Sequence, residues 1–405
     1  MRNYTRGEFL GSCAAAAGAS LLPSTLLGRT VSDERQAPRA GFAPWLEIDS
    51  GALAHNVRTV TRLAGGRPII AVVKNNAYGL GLEVAGPLLD AMPEVRALAV
   101  VRPDEATRLR IAKVRKPILL MGPASEDELV ELVRLDVLQS PYRDAAPALL
   151  SRVAQRAGRT VRVHVYVDTG MHRMGMPVAQ ALPWIEQLSR ASGVRIEGAF
   201  TELTEDADFD RLQAARLRDL QANARRGGIA IGTLHAASSD AIMANNAETF
   251  LDAVRPGLAI YGGYVTDDAM RRGELRPAYR LKARVIRVDQ LEAGEGISYH
   301  RRWTAQGPTW TATLAIGHVD GYPTGAVKGG EVLARGKLYP VIGTVSASHT
   351  VIELGETRTL DVGDEVTLVG PDAPALHPNE VAKRAGWSEY NMFMHLSPAL
   401  ARVVV

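Results

Sequence analysis

The stretch "AVVKNNAYGLG", residues 71–81, ends a short apolar run of β type (Ile69–Val73) with a lysine, then adds two asparagines, a tyrosine and two glycines. A lysine where a buried strand meets a loop has two uses. It can lay its stem along apolar surface and reach water. It can also serve as a desolvated amine, the state in which lysine forms a Schiff base. Position alone leaves both open, so the surroundings of the run must decide.

The run is the first of eight. "VRALAVV", "KPILLMG", "LDVLQS", "TVRVHVYVDTG", "VRIEGAFT", "IAIGTLHA" and "LDAVRPG" follow, most of them separated by amphipathic segments of helical length. "SEDELVELVRL" (Ser125–Leu135) opens with a Ser-x-x-Glu capping box. "DADFDRLQAARLRDLQANARRGG" ends in Arg-Arg-Gly-Gly, as a helix C-terminus prefers. Eight strands alternating with helices over about 200 residues predict a (β/α)8 TIM-type barrel. A doubly wound sheet is the alternative, and no G-x-G-x-x-G follows the first strand to favour it. After about residue 275 the period shortens. "LKARVIRVDQL", "TWTATLAIG", "GEVLARGKLYPVIGTVS", "TVIELG", "DEVTLVG" and "ALARVVV" are short strands between Gly, Asp and Asn turns. The expected fold is therefore an α/β barrel over residues 44–275 and a C-terminal all-β domain over 276–405. Residues 44–53, "PWLEIDSGAL", can pair with the second domain instead of the barrel.

The 405 residues suffice for two domains, and 46% hydrophobic with 22% charged residues is the mix of a globular protein. A net charge of +3 without a run of five basic residues argues against a nucleic-acid footprint. Cys13 is the one cysteine, which rules out an intrachain disulfide, and the nine histidines show no metal-ligand spacing. No metal is expected. The N-terminus differs from the rest. Arg2 and Arg6 precede a small-residue apolar run, Phe9–Gly28, and a polar linker leads on to Trp45. Residues 1–43 read as an export signal and linker, with a periplasmic destination. Gly and Pro break the run too often for a membrane-spanning helix. "TRGEFLG" (Thr5–Gly11) is Tat-like, with Gly7 where the second arginine of that motif belongs, so Tat and Sec export both stay open.

In a (β/α)8 barrel the functional face lies at the C-terminal ends of the strands, where Lys74 stands. The loops after strands seven and eight are the usual phosphate-binding loops of this fold. Here they read "HAASSDA" (His235–Ala241), with two serines opening a helix, and "VRPGLAIYGG" (Val254–Gly263), with Gly257 placed to let backbone amides approach an anion. A lysine able to form an imine, facing a phosphate cradle, suggests pyridoxal 5′-phosphate.

Six motifs together carry a family resemblance. "AVVKNNAYGLG", "VDTGMHRMG" (Val167–Gly175), "HAASS" (His235–Ser239), "VRPGLAIYG" (Val254–Gly262), "ISYHRRW" (Ile297–Trp303) and "IGHVDGYP" (Ile316–Pro323) occur in order. Over residues 44–405 the chain resembles the alanine racemases, fold-type III pyridoxal-phosphate enzymes, and in character the exported broad-spectrum amino-acid racemases. The resemblance implies a homodimer with shared active sites and a small amino-acid substrate, racemised by two bases. Lys74 would hold the cofactor covalently and serve one face. Tyr299 of the partner subunit would serve the other. Tyr78, Ser239, Ser238 and the backbone of Gly257 and Leu258 would hold the phosphate. Arg255 would face the pyridine nitrogen; a guanidinium does not surrender its proton, so the ring stays a weak electron sink and transamination is suppressed. Arg173 would contact the cofactor's phenolic oxygen or the substrate carboxylate, and a backbone amide at Ala347 would also serve that carboxylate.

This sequence departs from the family pattern at several places. "TELT" (Thr201–Thr204) has Glu202 where the family has a histidine; a carboxylate there could bridge Tyr299 and Arg255. Tyr166 stands where many members carry a carbamylated lysine, Ser238 replaces an asparagine, and "GTVSASHT" (Gly343–Thr350) has Ala347-Ser348 for Met-Asp or Met-Asn. Pro398 replaces a tyrosine that narrows the site of alanine racemases, which points to a broader substrate range. His164 and His172 are read as strand or loop residues with backbone partners, and Asp168 as a support of the Arg173 loop. Other readings of the same motifs are a fold-type III decarboxylase or aldolase-like enzyme, or a cofactor-binding relative with weak or lost racemase activity. For the export signal, the expected outcome is a mature chain that begins between about residues 25 and 44. N-terminal sequencing of the periplasmic fraction checks it, and an intact Met1 form confined to the cytosol refutes it.

Overall fold

A computed structural model describes residues 41–405. Nearly all of the segment expected to be an export signal and linker, residues 1–43, therefore lies outside the described residues, Cys13 included. The first strand, β1 (Trp45–Ile48), does not enter a barrel. The helix that follows, Ser50–Leu63, is capped by Asp49, whose carboxylate accepts from Ala52 N at 2.8 Å.

The barrel strands come next. They are β2 (Ile69–Val72), β3 (Val95–Val100), β4 (Ile118–Leu120), β5 (Val137–Leu138) and β6 (Val161–Asp168), then the two-residue β7 (Met176–Pro177), β8 (Val194–Phe200) and β9 (Thr233–His235). β2, β3, β4 and β5 pair in parallel in that order, and so do β6, β8 and β9, with β7 beside β6. Single bridges join the two halves: Gln139 to Val163 on one side, and His235 to Ala253 with Ile69 to Val254 on the other. The eighth run, "LDAVRPG", thus closes the circle through two bridges instead of a regular strand. Pro256 has no N–H to give a ladder, yet its carbonyl accepts from Val72 N at 3.0 Å and holds the run against β2. The predicted capping box forms: Ser125 Oγ accepts from Glu128 N, and Glu128 Oε2 accepts from Ser125 N at 2.7 Å.

The C-terminal part is built on β10 (Tyr279–Leu291). A short hairpin, β11 (Gly296–Ile297) and β12 (Trp303–Thr304), is followed by β13 (Thr309–Leu314), β14 (Glu331–Ala334), β15 (Lys337–Ile342), β16 (Thr350–Gly355), β17 (Glu365–Val369) and β18 (Ala401–Val404). The sheet order is β13-β16-β15-β14-β17-β10-β1-β18, and β10 is long enough to pair with β13 as well, which curls the sheet towards a barrel. β1 lies between β10 and β18, antiparallel to the first and parallel to the second. Two short helices, Pro378–Ala385 and Glu389–Met394, interrupt this β region. Period-2 reading does not mark them, because their apolar residues repeat at helical spacing within a few residues.

The last stretch of chain returns to the barrel and grips the turn after β2. Arg402 donates to the carbonyls of Gly79 (2.8 Å) and Leu80 (3.0 Å). Gly79 has φ +83°, and a Cβ there would overlap the carbonyl oxygen of Phe393. Gly79→Ala therefore meets both a left-handed backbone and a backbone clash, whereas Gly66→Ala (φ +78°) has open space around it. In urea unfolding, Gly79→Ala should cost more than about 2 kcal/mol and Gly66→Ala about 1 kcal/mol. Equal costs would mean that the helix Glu389–Met394 does not bear on the turn.

Candidate active site

Lys74 follows β2 by one residue and opens a turn with an unusual backbone. Asn75, Asn76, Ala77 and Tyr78 all have positive φ, at +54°, +59°, +53° and +52°. Asparagine tolerates this region; for alanine and tyrosine it is a strained conformation. Surrounding bonds hold it. Asn76 Oδ1 accepts from Leu82 N (3.2 Å) and Arg108 Nη2 (2.7 Å), and the buried Glu105 carboxylate accepts from the amides of Asn76, Val101 and Arg102. The turn aims Lys74 and Tyr78 into one cavity of about 340 Å³ at the C-terminal end of the barrel. The cavity is also lined by Arg173, Glu202, Ser238, Ser239, Arg255 and Gly257.

The Lys74 amine has no ion pair or hydrogen bond among the described residues. Burial lowers its proton affinity, Arg173 and Arg255 lower it further, and Glu202 and Glu105 oppose them. Tyr78 is 4% exposed. Its hydroxyl has no hydrogen-bond partner among the described residues, and burial holds it protonated. Ser239 Oγ accepts from Gly257 N (3.0 Å) and Ala259 N (3.1 Å), so its own proton is free to be donated. A Cβ on Gly257 would overlap the Tyr78 hydroxyl, so only glycine lets backbone and phenol meet there. Leu258 is fully buried and begins the short helical turn behind Gly257.

Arg255 is 4% exposed, and both of its terminal nitrogens have two acceptors each. It donates to His235 O (2.8 Å), His235 Nδ1 (2.9 Å), Thr201 O (2.7 Å) and Glu202 Oε1 (3.2 Å). Glu202 also faces Arg173, at 3.5 Å. Within one chain the carboxylate thus joins two arginines; the sequence reading had it joining Arg255 to Tyr299. Asp168 supports the Arg173 loop, accepting from Gly170 N (2.9 Å) and His172 N (3.1 Å), and its second oxygen pairs with the His172 ring at 3.2 Å.

His164 was expected to have a backbone partner. Its ring Nδ1 instead meets His235 Nε2 at 2.7 Å, and His235 Nδ1 accepts from Arg255. That order of donors fixes the tautomers: each Nδ1 accepts and each Nε2 carries hydrogen. Gly198 makes room for the His164 ring, which a Cβ there would strike.

Two predicted residues do not reach this cavity. Tyr299 is 72% exposed, on a turn where Ser298, His300 and Arg301 have φ of +66°, +61° and +48°. Ala347 is exposed in the loop between β15 and β16. Sequence reasoning missed Met121, Met171, Leu203, Thr204, Glu205 and Tyr390, all of which line the cavity. Tyr390 comes from the helix Glu389–Met394 and packs against Tyr78, ring centroids 6.4 Å apart. It lies about 310 residues from Tyr78, outside any quoted motif, so no local signal marked it. Leu203 and Thr204 lie inside "TELT" and Glu205 directly follows it, so all three were within reach of a closer reading. Burial and the carboxylates of Asp240, Asp210, Glu389 and Glu202 raise the Glu205 carboxyl.

Comparison with known proteins gives a consistent result. The profile of the alanine racemase N-terminal domain matches residues 48–265, and that of the C-terminal domain residues 278–404. An alanine racemase of Desulforamulus reducens is 34% identical over 370 residues, covering 89% of this chain and 98% of that protein. "Alanine racemase 2" of Caldanaerobacter subterraneus subsp. tengcongensis is 31% identical over 368 residues, covering 89% and 94%. The solved alanine racemase of Clostridium difficile 630 superposes with a TM-score of 0.83 at 28% identity, covering 91% of this chain and 97% of that one.

The histidine pair gives the site an acid limit. Burial holds the His164 imidazole down to about 4 and the His235 imidazole well below its ordinary value. An unfolded histidine titrates near 6.5. The folded value is the lower one, so the stability from neutral His164 is full above about pH 6.5 and is lost as pH falls towards 4. Between pH 7 and 4.5 that loss is about 2–3 kcal/mol. In His164→Gln the measured drop in unfolding free energy over this interval should shrink by about that amount; an undiminished drop would place the acid sensitivity elsewhere.

Proposed function

The chain belongs to the alanine racemase family and is an amino-acid racemase; we propose that it works with pyridoxal 5′-phosphate in a cavity that two copies of the chain complete. The observation that carries this reading is a desolvated lysine amine facing two unengaged hydroxyl donors, Tyr78 and Ser239, at a glycine that no side chain could replace. The residues present fit the cofactor. Lys74 would hold its aldehyde carbon. Tyr78, Ser239, Ser238 and the backbone at Gly257 and Leu258 would hold its phosphate, and Arg255 would face its ring nitrogen. When bound, the cofactor's ring spreads the negative charge left at the substrate Cα when the α-proton departs.

The rest is done by the chain. Arg173, on the loop after β6, receives the substrate carboxylate and so orients Cα. Lys74 takes and returns the proton on one face, serving the D-enantiomer, and its lowered proton affinity lets it act as a base nearer neutral pH. Arg255 stays fixed by its two backbone carbonyls and His235, so its charge does not wander during proton transfer. For the opposite face we assign Tyr299 of the partner subunit. The support is its position: an exposed phenol on a strained turn, with Ala347 on the same β region and neither in its own chain's cavity. Pro398, in place of a site-narrowing tyrosine, supports a substrate range wider than alanine. The basic, apolar and polar segments of residues 1–43 support a periplasmic setting.

Isotope exchange in D₂O tests the two-base assignment. Tyr299→Phe should slow exchange of the L-enantiomer's α-proton by about 10²–10⁴-fold and affect D-enantiomer exchange much less. Equal slowing of both enantiomers, or none, sinks the assignment. Lys74→Ala should lose the pyridoxyl adduct that borohydride fixes in the wild type.

A further inference from the structure

We propose that Glu202 is the positioning residue of this site: one carboxylate shared by Arg173 and Arg255 holds both guanidinium groups around Lys74 and keeps Arg173 at the cavity for the substrate carboxylate. The proposal rests on reading the cavity as a racemase site and adds what its carboxylate does there.

The geometry of the two arginines differs. The Arg255 side chain is 3% exposed and has three acceptors besides Glu202, so it needs little help to stay in place. The Arg173 side chain is 57% exposed on a loop, and its ion-pair partner is Glu202. A free arginine side chain loses much rotamer entropy when it binds; a partner at the cavity wall lowers that cost beforehand. Glu202 is itself held in place. Gln213, on the helix Ala207–Arg226, donates to Glu202 O (3.0 Å) and to Thr169 Oγ1 (3.2 Å), at the root of the Arg173 loop. One glutamine therefore sets the distance between the two loops that carry Glu202 and Arg173. The pair is built from beneath and is not a chance meeting of surface side chains.

Charge gives the second argument. The charged groups facing Lys74 are Glu202, Arg173, Arg255 and Glu105. Glu105 is already engaged by three backbone amides. Glu202 is thus the carboxylate that faces the arginines at the cavity wall, and it is the larger of the two carboxylate influences on the amine.

The test is the rate at which an amine reagent labels Lys74, read by mass spectrometry on the full chain freed of cofactor, at a pH where the amine is mostly protonated. Glu202→Gln removes the carboxylate that opposes loss of the Lys74 proton, while Arg255 stays held by its other acceptors, so labelling should run roughly tenfold faster. Arg173→Gln removes one of the two arginines and should slow labelling, and the double variant should return close to wild type. Glu202→Asp keeps the charge and should label like wild type, which separates a charge effect from a folding defect. Propionate, a carboxylate without an amine, should slow labelling in wild type and Glu202→Asp by binding Arg173, need a higher concentration to do so in Glu202→Gln, where Arg173 has lost its ion-pair partner, and do nothing in Arg173→Gln. The assignment is overturned if Glu202→Gln labels at the wild-type rate or slower, if Glu202→Gln responds to propionate at the same concentration as wild type, or if the propionate effect survives Arg173→Gln. Racemase activity of the wild type, measured alongside, reports on the reading of the site itself; the labelling rates report on Glu202.

Discussion

The left-handed turn from Asn75 to Tyr78 is the constraint on which the site depends. Four consecutive non-glycine residues occupy the left-handed region of backbone space, which asparagine tolerates and which costs roughly 1–2 kcal/mol each at Ala77 and Tyr78. This turn points both Lys74 and Tyr78 into the same cavity. The strain persists because the surroundings over-determine it. Glu105 collects the amides at its base, Asn76 ties it to Arg108 and Leu82, and Arg402 seizes the carbonyls of Gly79 and Leu80 from the far end of the chain. The C-terminal region is thus a support of the lysine as well as the bearer of Tyr299.

Electrostatics around the lysine follow from that placement. Burial makes the Lys74 amine give up its proton more readily than a solvated one, and two arginines strengthen the effect against Glu202 and Glu105. Arg255 is tolerated because both of its terminal nitrogens meet acceptors: two carbonyls, an imidazole and a carboxylate. Behind it the neutral His164–His235 pair takes up a guanidinium N–H without adding charge. The result is a cavity with fixed positive charge on one wall and neutral hydroxyl donors on another, suited to a ligand with anionic groups at both ends.

Much of this was legible in the sequence, for local reasons. Strand and helix periods mark the barrel, since seven of the eight runs become strands and the eighth supplies closing bridges. Lys74, Tyr78, Ser238, Ser239, Arg255 and Gly257 lie in short motifs at strand ends, where the barrel geometry sends them to one face. The two helices of the C-terminal region were not legible, being too short for a helical period to stand out. Tyr390 was missed because its position in the cavity depends on how the helix Glu389–Met394 sits against the lysine turn. The link between His164 and His235 was likewise hidden, because it spans 71 residues and two strands.

The departures at Glu202, Tyr166 and Pro398 show only against the family pattern; the sequence by itself determined the fold class and put Lys74, Ser238, Ser239 and Gly257 at strand ends. These are properties of residue type and spacing, which periodicity and turn chemistry express directly. Only the tertiary structure decided what Glu202 touches, which tautomers the histidine pair adopts, and that β1 joins the C-terminal sheet. Each of those is a contact between segments far apart in the chain. Such contacts are set by how packed elements bring side chains together, and no spacing along the sequence encodes that distance.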